Sequence, residues 1–210
     1  MANGEDYAAR LKIDRPQELD RVSSFFRILF VIPIFVILIL VYAPGGSGNE
    51  FHHHARSTGI SISTGLFIAT ALMIVFRQRY PRWWFDFVLE LSRFGGRVFS
   101  YLFLLTDEYP STEDEQSYHL ELDYPDVEND LNRWMPLVKW LLAIPHYIVL
   151  ALLIIGLAIS VLIAWLAILF TGKYPRPLFD YVEGVMRWGT RVAAYAFLLL
   201  TDRYPPFSLK

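Results

Sequence analysis

Three groups of residues have the types and spacing for chemistry. His52, His53 and His54 stand in a row with Glu50 just before them, and imidazole is the commonest protein metal ligand. Three consecutive residues cannot all aim at one ion from a regular strand, although a loop could present two of them, with Glu50 adding an oxygen. Their flanks, APGGSGN and ARSTG, mark a polar loop tip as the ordinary reading and these histidines as a weak metal candidate. His146 follows Pro145 inside a long apolar run. An ionisable group in such a run is a functional candidate by default, but no carboxylate lies in the run to pair with it. A carbonyl freed beside the proline is the simpler partner. The third group comprises the carboxylates Asp86 and Asp180, Asp107 and Asp202, which could be imagined as acid–base pairs. Arg93, Arg97, Arg187 and Arg191 make structural ion pairs the simpler account, and the same arginine rows could contact anionic lipid headgroups.

Other chemistries are absent from the sequence. There is no cysteine, so disulfides, thiolate nucleophiles and cysteine-ligated metals are excluded. No Gly-rich phosphate loop, zinc spacing or Ser-His-Asp order occurs, and no basic, aromatic-interleaved patch points to nucleic acid. The expectation is a protein that is not an enzyme, with no catalytic residue, no cofactor and no nucleic-acid partner.

The elements that must position these residues are written twice. LLTDEYP (104–110) recurs as LLTDRYP (199–205), RYPRWWFDFV (79–88) as KYPRPLFDYV (173–182), and RLKIDRP (10–16) as HLELDYP (119–125). Arg21, Arg27 and Ile32-Pro33 align with Arg133, Lys139 and Ile144-Pro145. Arg93, Arg97 and Tyr101 align with Arg187, Arg191 and Tyr195. Self-similarity of this kind decides architecture before any local reading. The chain divides into a first repeat (1–110), an acidic linker (111–117) and a second repeat (118–210).

Each unit opens with a short strand, read from the alternation of Leu11 and Ile13, or Leu120 and Leu122, before a proline. Apolar runs follow at 25–41 and 60–76, about the shortest length that crosses ~30 Å of hydrocarbon. In the second unit Leu137–Phe170 is one uninterrupted run. Alignment with the first unit suggests two short spans turning near Leu153–Gly156, with one long kinked helix as the rival. After each run, RYP or KYP breaks the chain. Apolar residues then recur at helical spacing, with Asp86, Glu90, Arg93 and Arg97, or Asp180, Glu183, Arg187 and Arg191, on the other side. This amphipathic stripe suits a helix lying in the headgroup plane; a helix packed on a core has the same pattern. Arg27 and Lys139, at the run entrances, could snorkel to lipid phosphate.

RWMPLVKWLLAIPHYIVL and AWLAILFTGKYPRPLFDYVEGVMRWGTRVAAYAFLLLTDRYPPFSL resemble a bacterial membrane-protein family known only as a domain of unknown function. The resemblance is strong over 118–209 and weaker over 9–110. It implies a membrane location and a bacterial origin, and no activity, cofactor or catalytic residue.

The expected fold is an all-α membrane protein with minor β. It is a tandem duplication of short strand, transmembrane helical hairpin and amphipathic interfacial helix, with four transmembrane helices. Eighteen of the nineteen Lys and Arg fall outside the hairpin tips, Arg56 being the exception. The positive-inside rule then expects both termini on the cytoplasmic side of a bacterial inner membrane. The expected role is structural or accessory, as a homo-oligomer or with partner membrane subunits in the lipid bilayer. A small channel or transporter formed by the oligomer is the alternative.

Overall fold

In the computed structural model, which describes residues 7–42 and 62–210, the two short alternating runs meet. β1 (Ala9–Ile13) and β2 (Tyr118–Leu122) pair antiparallel, with Leu11 opposite Leu120 at the centre of the register. These two leucines are the positions the repeat alignment equates. One face buries Ala9, Leu11 and Ile13 with Tyr118, Leu120 and Leu122. An isolated two-stranded ribbon is marginal in water, and its outer edges would invite further pairing. Both edges are taken by long helices. Arg187 Nε donates to the Leu11 carbonyl at 2.9 Å, and Arg93 Nε to the Leu120 carbonyl at 3.1 Å. Glu183 also accepts the Ile13 amide at 3.1 Å.

Those helices are α3 (Arg82–Leu102) and α6 (Arg176–Ala196), each starting directly after a proline in extended conformation. They are amphipathic, and most of each apolar stripe faces the protein. α6 buries Phe179, Val182, Val185, Trp188, Val192 and Tyr195; α3 buries Phe85, Val88, Val98 and Tyr101. The packing partners are the sheet and the apolar helices, so the α6 stripe and the buried part of the α3 stripe are core surfaces, while Trp83, Phe87 and Phe99 of α3 stand exposed.

The apolar runs form α1 (Arg21–Tyr42), α2 (Ile62–Leu72, continued by a π-helical turn to Arg77), the short α4 (Lys139–Leu142) and α5 (Ile144–Thr171). Here the expectation of four transmembrane helices in two hairpins is overturned. Among the described residues one helix, Ile144–Thr171, is long and apolar enough to cross a membrane; the apolar stretch Thr64–Arg77 is too short. α5 runs through 153–156 without a turn. Its 28 residues are about 42 Å long at ~1.5 Å per residue.

The physical reason lies in Gly156. Gly156, at the end of the stretch where alignment suggested a turn, is a packing position: a Cβ there would come within 2.5 Å of the Tyr181 hydroxyl, which donates to the Leu153 carbonyl at 3.0 Å. With no breaker after Pro145, the helix continues to Gly172, whose φ of 73° supplies the left-handed stop that glycine adopts without a Cβ penalty. With one helix long enough to cross among the described residues, the argument that placed both termini on the cytoplasmic side no longer holds.

The two halves cross-brace each other. The Leu19 amide donates to the Gly172 carbonyl at 2.9 Å, Trp165 Nε1 donates to the Ser24 carbonyl at 3.2 Å, and Arg133 Nε donates to the Val75 carbonyl.

Candidate functional site

The densest polar chemistry sits at the two heptads. Each begins where an amphipathic helix must stop, and the first leucine of each, Leu104 (φ 65°) or Leu199 (φ 58°), is left-handed. That conformation costs a residue with a Cβ about 1–2 kcal/mol. Both leucines are buried, at 3% and 0% exposure, and full burial of a leucine returns about 1.5–3 kcal/mol. At the first heptad the Leu104 amide donates to the Tyr101 carbonyl (3.2 Å) and the Leu105 amide to the Ser100 carbonyl (2.9 Å). This is the paired Schellman closure of a helix C-terminus. At the second, the Leu200 amide reaches the Ala194 carbonyl at 3.0 Å. The threonines then turn the chain: Thr106 Oγ1 accepts the Glu108 amide and Thr201 Oγ1 the Arg203 amide, both at 3.1 Å.

The aspartates follow, where a helix C-terminus disfavours negative charge. Each is met by a buried cation from the start of an apolar helix. Arg27, 2% exposed, donates to Asp107 Oδ1, to the Thr106 carbonyl (2.8 Å) and to the Tyr101 carbonyl (3.0 Å), and lies 4.4 Å over the Tyr101 ring. Lys139, 1% exposed, sits 2.6 Å from Asp202 Oδ1, donates to the Thr201 carbonyl at 2.8 Å and lies 5.4 Å over the Tyr195 ring. Each aspartate also accepts a backbone amide from before its apolar helix: Asp20 to Asp107 at 2.7 Å, and Asn132 to Asp202 at 2.6 Å. Tyr109 meets Tyr101 edge-on at 5.8 Å, as Tyr204 meets Tyr195 at 5.7 Å. Burial pushes the Lys139 ammonium below the ordinary lysine value, and the contact with Asp202 pulls part of the way back.

This arrangement clamps the end of one helix to the start of another. Asp107 and Asp202 are fixed to the apolar helices, whereas Arg93 and Arg187 engage the strands. Arg27 and Lys139 do not snorkel to lipid; they are enclosed. Asp86 is exposed on α3, and Asp180 lies 3.9 Å from Arg176. The arginine rows bind elsewhere: Arg93 to Glu90 and Arg187 to Glu183, each at 2.6 Å. Arg97 donates to the Ser111 carbonyl at 2.6 Å, and Arg191, 2% exposed, to the Ser208 carbonyl at 3.3 Å. A buried Arg191 has no reach to a headgroup.

His146 is fully buried. Its Nδ1 accepts from Trp188 Nε1 at 3.1 Å, and its ring stacks on Phe207 at 4.0 Å. Its partner is therefore an indole from α6, not a carbonyl beside Pro145. His52, His53 and His54 lie outside the described residues. Among the described residues no group of three His, Asp or Glu is placed to hold a metal ion. Sequence reading expected structural ion pairs at Asp107 and Asp202 but drew the cations from the arginine rows and not from Arg27 and Lys139. The signal was available: a basic residue and an aspartate recur together at both aligned positions.

Residues 133–208 match a family described as a domain of unknown function (DUF4389). No curated protein and no solved structure matches the chain. The matched stretch contains α4, α5 and α6, and the Lys139–Asp202 pair ties its two ends together.

Proposed function

We propose that the protein is a non-catalytic structural or accessory component of the bacterial cytoplasmic membrane. It is anchored through α5 and built as a tandem duplication of strand, apolar helix and amphipathic helix. It assembles with itself or with partner membrane subunits. One observation carries the membrane reading: α5 presents Ile148, Leu152, Ile155, Ile159, Leu162 and Phe170 at 55–79% exposure, and only 17% of its most apolar stretch is buried within the chain. A continuous apolar surface of that kind needs hydrocarbon or another apolar partner. The non-catalytic reading is supported by the way polar groups are used. Arg27, Lys139, Arg187 and Arg191 all donate to the chain's own carbonyls, and Asp107 and Asp202 accept its amides. The duplication is supported by the twin clamps and by the Leu11–Leu120 register.

Alkaline carbonate extraction of membranes from cells expressing the full chain tests the anchor. The protein should stay in the pellet, and release into the supernatant would overturn the reading. Intact-mass measurement after gentle detergent extraction tests assembly. A companion chain is expected; a lone monomer would count against a structural role.

A further inference from the structure

We propose that the gap between α3 and α6 is a binding site for one acyl chain of a membrane phospholipid, an inference that rests on the membrane-anchored reading of α5. The two amphipathic helices stand apart above the sheet. Between them lies a cavity of about 560 Å³, walled by Gly96 and Phe99 of α3, Leu120 of β2, Ile154 of α5, and Gly189 and Ala193 of α6. Its volume falls within the ~300–1,000 Å³ of small-molecule sites. Ser92, Ala193 and Leu198 also line a neighbouring cavity of about 500 Å³ bounded by Phe67 and Phe197. Two apolar cavities side by side suit an unbranched chain better than a compact polar ligand.

The walls are largely apolar, with hydroxyls only on Ser92, Tyr118 and Thr190. Ser92 Oγ donates to the Val88 carbonyl at 2.7 Å and Thr190 Oγ1 to the Met186 carbonyl at 2.9 Å, so both hydroxyls are turned back onto their own helices. An occupant bringing donors or acceptors would leave them unpaired at a cost; a hydrocarbon chain has none. The source follows from the rim. Ile154 (56% exposed) and Phe99 (41%) line the groove and also stand at the surface. Ile154 adjoins the exposed face formed by Leu152, Ile155 and Ile159. The groove therefore opens onto the surface assigned to the bilayer, where phospholipid chains are the abundant hydrocarbon. Gly189 leaves room inside: a Cβ there meets no atom within 4 Å.

The test uses the full chain in phosphatidylcholine vesicles containing phosphatidylcholine with a diazirine at the end of one palmitoyl chain. After irradiation, label is expected on peptides from α3 and α6 that line the groove, and on the outer face of α5. Gly189→Leu and Ser92→Leu, which fill the groove from opposite helices, should each lose the groove label and keep the α5 label. The melting temperature of Gly189→Leu should not fall. Label on α5 with none in the groove of the unmodified protein would overturn this proposal and leave the membrane anchor standing; absence of label from both would overturn the two together. Undiminished groove label in both variants, or label from free diazirine-palmitate but not from the phospholipid, would also overturn it.

Discussion

At the end of α3, Asp107 is met by an arginine that donates to two carbonyls as well and lies over a tyrosine. At the end of α6, Asp202 is met by a lysine that donates to one carbonyl and lies over the matching tyrosine. The guanidinium is a rigid fork and the ammonium a compact point charge, so the first clamp fixes more backbone than the second. The apolar helices differ in the same sense. In the second half Lys139 lies just before one continuous helix, whose own hydrogen-bond ladder carries it from Ile144 to Thr171. In the first half the described helices are two separate pieces, α1 and α2.

Breaking the joints should show the asymmetry at its largest. Arg27→Ala strands a partly buried aspartate and leaves the Thr106 carbonyl without its donor, while the Tyr101 carbonyl keeps the Leu104 amide. A loss of about 3–5 kcal/mol is expected from breaking a buried pair, with Lys139→Ala toward the lower end of that range. Denaturant unfolding in mild detergent measures both. Equal losses would remove the distinction drawn between fork and point charge.

Asp202→Ala should lose about 1.5–3 kcal/mol, the worth of a charge-assisted bond, because Lys139 keeps the Thr201 carbonyl. The same scan applied to Asp107→Ala should give a larger loss, since Arg27 is the more committed donor. A thermal shift in the opposite order would contradict the ranking.

The glycines sharpen the contrast between the apolar helices. Gly156→Ala in α5 drives a methyl into the Tyr181 hydroxyl and should cost about 1–3 kcal/mol by overpacking, partly offset by alanine's helix propensity. Gly65→Ala in α2 meets open space and should gain about 0.5–1 kcal/mol. Opposite signs in one melting experiment are the expected outcome. A matching loss at Gly65 would mean that α2 is packed as tightly there as α5.

These residues also show how far the sequence could be read. The strands were legible because alternation and a following proline are local signals, and the repeat supplied each with a partner. The proline starts of α3 and α6 were legible for the same reason. The fate of Gly156 was not: a glycine in an apolar run can mark a turn or a close helix contact, and Tyr181, which decides between them, lies on another helix, 28 residues from the Leu153 carbonyl it binds. Arg27 and Lys139 looked like interfacial cations because their partners stand 80 and 63 positions downstream, as subtraction of 27 from 107 and 139 from 202 gives. His146 was likewise assigned a nearby carbonyl because Trp188 comes from another helix. The amphipathic stripes were correctly seen as stripes, but periodicity does not say whether the apolar side meets lipid or protein. Burial of Trp188 and Tyr195 answers that for α6.

The central claim is that the repeated heptads are two copies of one structural clamp. Double-mutant cycles on Arg27 with Asp107 and on Lys139 with Asp202, read as unfolding free energy in detergent, test it most directly. Coupling of about 1–3 kcal/mol is expected in both cycles, larger in the first. Coupling at one heptad and none at the other would contradict the account.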